Sequence, residues 1–442
     1  QLEQMVDGKL GSVPRYRQKV RFIPLGLGRP VWVDDPHFNL SYHLRHTALP
    51  APGSNDQLRR TAARIFAQRL DRDKPLWEIW AVEGLSENRW ALLSKVHHCM
   101  VDGVSATDLM SVMFEDDSAQ ATAGVWDPAP EPSGIDLLLR TLTRRTLDPS
   151  EQLRSVRAAV RAPGESLGQA RDLLRGMAST AGLMRLLGSS SLTGPVGPHR
   201  TWSCAHVRLS DVKSVRAVLG GTVNDVVLTI VSGGLRDLLE ARGESVADRT
   251  IRTLVPVSVR RPGEQGTYNN RVSAMFAALP VGVADPAARL DAVRTQMDGL
   301  KQSKQAVAGD ALTSLSGFAP PMLLALGARL AARSTSLGVQ IGVTNVPGPQ
   351  QPLHTLGRRL LESFPFVPVI GQVRISIAIF SYDGGLYFGV TGDHASSSDI
   401  DIITTGVERS MAELLALVEP PPTNRAQAKP ENAVVEGDQP RV

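Results

Sequence analysis

Polar and apolar positions change period along this chain, and the changes mark out its elements. Residues 56–70 carry apolar side chains at three- and four-residue spacing and predict a helix. Two largely apolar runs follow at 76–82 and 90–98. They read as strands, with Arg89-Trp-Ala-Leu-Leu-Ser-Lys-Val96 alternating through the second. Residues 106–114 return to helical spacing. The pattern breaks at Asp127-Pro-Ala-Pro-Glu-Pro-Ser-Gly134, whose proline density predicts a linker. From 135 to 187, Leu, Ala and Arg recur at helical spacing. Arg154, Arg157, Arg161, Arg171, Arg175 and Arg185 give these helices a basic outer face, either simply solvated or facing anionic lipid.

After a small-residue loop at 188–197, the alternation resumes at 202–209. Ser210-Asp211 reads as an N-cap pair for a helix to 218, which Gly220-Gly221 ends. Thr222 caps a long helix over 223–242, with Asn224 and Asp225 in its first turn. The helix dipole favours an aspartate there, so Asp225 reads as structural, while Asn224 could offer its amide to a reaction centre. Strands are predicted at 252–259, 271–279, 339–345, 373–382 and 386–391. Helices are predicted at 286–301, around 322–332 and at 398–417. Tyr382-Asp-Gly-Gly-Leu386 is a hairpin turn, and the polar, Pro-rich stretch from 420 reads as a disordered tail.

At 442 residues the chain is too long for one ordinary core. Both halves read as mixed sheet with flanking helices, an α/β (α+β) class. The expected organisation is a first domain over 1–130, a crossover linker with basic helices over 131–200, a second domain over 201–418 and a tail over 419–442.

The densest chemistry lies in His97-His98-Cys-Met-Val-Asp102-Gly103, where a strand gives way to a helical pattern. An imidazole titrates near neutrality and can take a proton from a hydroxyl and return it. An aspartate can orient a neighbouring ring, and a glycine permits a tight backbone path. Successive strand side chains point to opposite faces, so His97 and His98 cannot both face one reactant on a regular strand. One is then the base and the other structural. A packed histidine pair is the plain alternative. A metal site is disfavoured, because adjacent histidines diverge and no third ligand stands nearby at a known spacing.

A net charge of +4 is too small to suggest nucleic acid. The two cysteines, Cys99 and Cys204, make neither a disulfide framework nor a zinc pattern, and Cys99 has no evident activating partner for nucleophilic work. A reduced, cytoplasmic setting fits this usage. A long, largely apolar uncharged stretch, 311–328, is interrupted by Pro320-Pro321. It reads as two helical pieces meeting at an apolar corner, not as a membrane span.

Together these pieces resemble the bacterial wax ester synthase/diacylglycerol acyltransferase family, within the CoA-dependent acyltransferases of chloramphenicol-acetyltransferase-like fold. HHCMVDG is similar to its HHxxxDG signature, and Pro75-Leu76-Trp77-Glu78 to its PLW segment. Thr222-Val-Asn224-Asp225-Val-Val-Leu228 resembles its ND motif. Leu254-Val-Pro-Val-Ser258 followed by Asn270-Arg271-Val272-Ser273 is similar to its central strands. Thr344-Asn345-Val-Pro-Gly-Pro349 resembles its NVPGP turn. The resemblance spans roughly residues 15–418. The family's opening strand and helix, which precede the equivalent of Gln1, are not part of this sequence.

The resemblance implies two such domains facing each other across a tunnel. Long-chain acyl-CoA enters as a substrate, with no metal or redox cofactor, and the acceptor is diacylglycerol or a fatty alcohol. His98 is the implied base, with Asp102 supporting the loop and the imidazole beside Gly103. Asn224, Thr344 and Asn345 are the oxyanion or substrate-binding candidates. Asp225, Pro75, Leu76 and Trp77 are structural parts of their motifs. No G-x-S-x-G elbow indicates a serine acyl-enzyme. A carrier-protein-dependent condensation-type enzyme of the same fold, or a non-catalytic lipid-body protein, are the alternatives. The expected location is cytoplasmic and peripheral to a membrane or lipid body. Phe318, Pro320, Pro321, Met322 and Leu323, assisted by Arg154, Arg157 and Arg161, are the expected contacts.

Overall fold

In the computed structural model, the described residues are 1–11, 13–24, 28–100, 114, 126–147, 190–258, 272–302, 338–369 and 371–418. The first half opens with α1 (Leu2–Leu10) and an antiparallel ribbon of β1 (Gln18–Arg21) and β2 (Val31–Asp34). A single turn, α2 (Leu40–His43), leads into β3 (Leu44–Ala48). Then come α3 (Asn55–Ala67), β4 (Trp77–Leu85) and β5 (Arg89–Val96). The sheet order is β3-β4-β5, with β3 parallel and β5 antiparallel to β4. α3 starts where Ser54 and Gln57 cap each other reciprocally, and it buries Ala62, Ala63 and Ile65.

Residues 126–133 have no regular structure, as their prolines predict, but they are fastened to the ribbon. Glu131 pairs with Lys19 at 2.9 Å and with Arg21 at 3.0 Å. α4 (Gly134–Leu147) follows. The predicted helix at 106–114, apart from Phe114, that at 322–332, the basic helices beyond 147, the apolar corner at 318–323 and the tail lie outside the described residues.

The second half contains β6 (Arg200–Arg208), α5 (Leu209–Leu219), α6 (Val223–Ala241), β7 (Ile251–Ser258), β8 (Val272–Leu279) and α7 (Pro286–Gln302). It continues with β9 (Ile341–Val346), a two-residue ribbon of β10 (His354–Thr355) and β11 (Arg358–Arg359), then β12 (Ile375–Tyr382), β13 (Gly385–Asp393) and α8 (Asp401–Ala416). Its six-stranded sheet runs β6-β13-β12-β9-β7-β8. β9 is parallel to β12 and β7, and the other pairs are antiparallel. β12 and β13 are buried along their whole length, so they read as nearly continuous apolar runs. Asp383 (φ 44°) and Gly384 (φ 77°) make the predicted hairpin turn, whose two left-handed residues match the twist of the strands.

α6 is buried on every side from Asp225 to Leu235 and packs on α8. Glycines set the closeness of that crossing: a Cβ at Gly234 would sit 2.5 Å from the Ile403 carbonyl oxygen. Among the described residues no single helix is long and apolar enough to cross a membrane. α5 and α6 together pass by composition, but they meet at 103°.

One predicted cap differs. α5 begins at Leu209 with Arg208 at the cap position, and no side chain caps it. Asp211 instead bonds the Arg208 guanidinium at 2.9 Å, an i,i+3 pairing that competes with capping.

The halves meet through α3 and β6. Phe66 of α3 stacks on Phe366 at 4.3 Å between ring centres, and Trp202 of β6 lies 6.0 Å from the same ring. Val82, Leu85 and Leu93 close this cluster from the small sheet.

Candidate active site

The histidine turn is built from the start of β4 and the end of β5. Trp77 stands opposite Val96 in the ladder, and the His97 amide donates to the Leu76 carbonyl at 3.0 Å. The strand ends there. His98–Met100 form one 3-10 turn, closed by the Met100 amide donating to the His97 carbonyl at 2.9 Å. Met100 is buried with Leu76, Trp77 and Ile79, which leaves His97 and His98 exposed on a turn anchored at both ends.

The two rings differ in their ties. His97 Nδ1 accepts the Cys99 amide at 3.2 Å, so the neutral ring carries its proton on Nε2. Partial desolvation, then the positive charges of Arg72 and His98, hold this imidazole below the usual histidine range. His98 sits past the end of the regular strand, where the alternation of faces no longer applies. Asp102 and Gly103 lie outside the described residues.

The PLW segment explains why this turn is firm. Pro75, Leu76 and Trp77 are all buried. The Trp77 ring stacks on His43 at 4.5 Å and meets Tyr16 edge-on at 5.5 Å. Its Nε1 donates to the Tyr16 carbonyl, and His43 Nδ1 donates to the Trp77 carbonyl, both at 2.8 Å. Burial pushes the His43 imidazole down and the Tyr16 phenol up.

Below the turn lies a polar layer that the residue pattern did not single out. Glu78 and Lys95 face each other in the ladder. The Glu78 carboxylate takes Arg45 at 3.5 Å and the Trp80 Nε1 donor at 3.1 Å. Lys95 Nζ donates instead to the carbonyls of Ile65 (3.0 Å) and Gln68 (2.6 Å), at the end of α3.

The second group gathers at the start of α6. Thr222 and Asp225 form a reciprocal capping box. Asp225 Oδ2 accepts the Thr222 amide and hydroxyl, each at 2.8 Å, and the Asp225 amide donates to the Thr222 hydroxyl at 3.2 Å. Asp225 Oδ2 is thus spent on the helix start. Asn224, beside it, accepts the Asn345 side-chain amide from β9 at 3.2 Å. Thr344 and Asn345 are neighbours on a strand and point to opposite faces, so Asn345 is the one that meets Asn224. Just beyond, the Gly348 amide donates to Ser381 Oγ at 3.0 Å. A Cβ at Gly348 would overlap the Phe380 ring and the Ser381 carbonyl, which is why the NVPGP turn needs glycine there.

The described chemistry is thus a histidine-bearing turn on one sheet and a hydrogen-bonded amide pair on another. Comparison with known proteins gives the class. The fold is similar to a wax ester synthase/diacylglycerol acyltransferase from Marinobacter aquaeolei VT8 (TM-score 0.63, 23% identity, covering 94% of this chain and 89% of that one). It is also similar to the first condensation domain of the calcium-dependent antibiotic synthetase (TM-score 0.50, 17% identity, 94% and 87%). The chain therefore has the two-domain chloramphenicol-acetyltransferase-like architecture.

Residues 1–227 match the wax ester synthase/diacylglycerol acyltransferase catalytic domain, and residues 268–415 match the C-terminal domain of the same family. The protein named probable diacylglycerol O-acyltransferase tgs1 of Mycobacterium tuberculosis is 35% identical over 415 residues, covering 92% of this chain and 86% of that protein. The chain belongs to the wax ester synthase/diacylglycerol acyltransferase family and is an acyltransferase.

Proposed function

We propose that this acyltransferase moves a long-chain acyl group from acyl-CoA to the hydroxyl of diacylglycerol, making triacylglycerol, and that a fatty alcohol is its second acceptor. His98 takes the proton of the acceptor hydroxyl. The oxygen attacks the thioester carbonyl, a tetrahedral intermediate forms, and the C–S bond breaks as the CoA thiolate takes the proton back from His98. Base assistance of this kind is worth roughly 10²–10⁴-fold. One observation carries the choice of histidine: His97 Nδ1 is occupied by the Cys99 amide, so its neutral ring is a donor at Nε2 and cannot serve there as a base. The amides of Asn224 and Asn345 are the donors for the oxyanion, with Thr344 the further candidate. Asp102 supports the loop of His98.

The experiment is an acceptor panel with a labelled long-chain acyl-CoA, following CoA thiol release and ester product together. Diacylglycerol should give triacylglycerol at the highest rate. Thiol release without ester on any acceptor, or transfer only from an acyl carrier protein, would overturn this reading.

The acceptor is nearly insoluble in water, so the enzyme works at a membrane or lipid-body surface. Flotation with anionic vesicles at low and high salt tests this part separately. Absence of association at both salts, with full activity on dispersed substrate, would remove it.

A further inference from the structure

We propose that Lys95 is a positioning residue that ties the histidine turn to the seam between the two halves. The proposal rests on the reading of His98 as the base. Lys95 lies two residues before His97 on β5 and is 7% exposed. A buried ammonium ordinarily finds a carboxylate. The nearest candidate, Glu78, is directly opposite but is bonded to Arg45 and Trp80. Lys95 instead spends its donors on two carbonyls at the end of α3, that of Gln68 and that of Ile65, which also accepts the Gln68 amide at 3.3 Å. Burial lowers its affinity for a proton, against the nearby Glu78 charge, which raises it, and with the Arg45 charge, which lowers it further.

The bonded carbonyls matter because of what lies between them. Phe66 sits one residue after Ile65 and two before Gln68, and its ring stacks on Phe366 of the second half. Phe366 belongs to the 361–369 segment, which lies so close on β13 that a Cβ at Gly389 would overlap the Pro365 carbonyl. A continuous path of contacts therefore runs from β13 through Phe366, Phe66 and the α3 end to Lys95, and along β5 to His97 and His98. A base held on one half must meet an acyl group bound between both. A misplacement of about 1 Å can cost on the order of 10²-fold in such a transfer.

The test uses the full chain and three variants. Lys95→Met keeps the length of the side chain and removes the donors, while Lys95→Arg keeps donors. Phe366→Ala cuts the same path at its far end. Lys95→Met should lower kcat per folded molecule at least tenfold. KM for acyl-CoA and for acceptor should stay within twofold, and the midpoint of the kcat–pH profile should not move. Lys95→Arg should recover a substantial part of kcat, and Phe366→Ala should reproduce the kcat loss. If Lys95→Met does not fold, the other two variants carry the test.

Wild-type kcat per folded molecule in Lys95→Met and in Phe366→Ala would overturn the proposal. So would a loss confined to KM or to the folded fraction. His98→Ala separates the two layers: full turnover there would sink the base assignment itself. Loss of turnover there, with Lys95→Met unaffected, would sink only the tie.

Discussion

The two halves hold polar side chains at the edge of a sheet in different ways. In the second half, Asn224 and Asn345 stand on one continuous core. β12 and β13 are buried from end to end, and α6 is buried on every side from Asp225 to Leu235. That packing seats the elements, and the Thr222–Asp225 cap and the bond between the two amides complete the pair. The first half divides its apolar residues into one cluster around Trp77 and another around Val82 and Ile65. Between and around them, direction comes from individual polar bonds: Lys95 to α3, Glu78 to Arg45, and Glu131 to Lys19. Such buried bonds add little net stability and are costly to break singly. Damage to the second half should therefore appear as unfolding, and damage to the first as misalignment of a chain that is still folded.

The sharpest way to test the contrast is at the histidines. His98→Ala should lower turnover at least about 100-fold with little change in melting. His97→Ala should cost less in turnover and more in stability, because its ring closes the turn on Cys99. Parallel kinetics and thermal melts check both, and near-normal turnover in both variants would contradict the mechanism.

Next come the two aromatic anchors. Phe388→Ala and Trp77→Ala should each cost roughly 3–5 kcal/mol in urea unfolding. Phe388→Ala should leave kcat per folded molecule intact, whereas Trp77→Ala should also reduce kcat. Equal kcat losses would erase the distinction between the halves.

A smaller effect is expected at the start of α6. Thr222→Ala removes the cap that Asp225 reciprocates and should cost about 1 kcal/mol. Asp225→Ala should likewise act through stability, and abolished chemistry with unchanged melting would make Asp225 part of the reaction.

The mildest test is pH. His43 and His97 both bind a proton less readily when folded than at the ordinary histidine value of 6.5. The unfolded chain then holds more protons below that pH, so their contribution to stability is intact above about pH 6.5 and falls as acid is added. His43, stacked between Phe38 and Trp77, should dominate. His43→Phe should flatten the slope between pH 7.5 and 5.5 in urea titrations, and an unchanged slope would assign it elsewhere.

Much of this arrangement is legible in the residues. Thr222 announces its helix because a hydroxyl precedes an apolar run with an acid three places on. Asp383-Gly384 announces its hairpin because only such residues accept two left-handed positions cheaply. HHxxxDG and PLW are visible as motifs. What their letters do not carry is that Trp77 holds the turn by gripping Tyr16 and His43, residues 61 and 34 positions away. Lys95 was within reach: strand alternation puts it on the same face as the buried Leu93. Its role depends on α3 ending at Ala67, and helical spacing alone carries that helix to residue 70. Ser210-Asp211 misleads because Asp211 has Arg208 three residues back, and a charged pair outcompeted the cap.

The position of β13 has a consequence for how the molecule comes to exist. Among the described residues β6 has a single strand partner, β13, which pairs residues 200–208 with residues 385–393. A chain emerging from the ribosome makes β6 long before its neighbour is translated. α3 can rest against β6 early, but the edge that β13 takes stays open until β13 has been translated. Closure of the sheet, and with it the seating of Phe366 on Phe66, is a late event governed by contacts of great sequence separation. The enzyme's two walls are thus joined by a strand synthesised long after the one it pairs with.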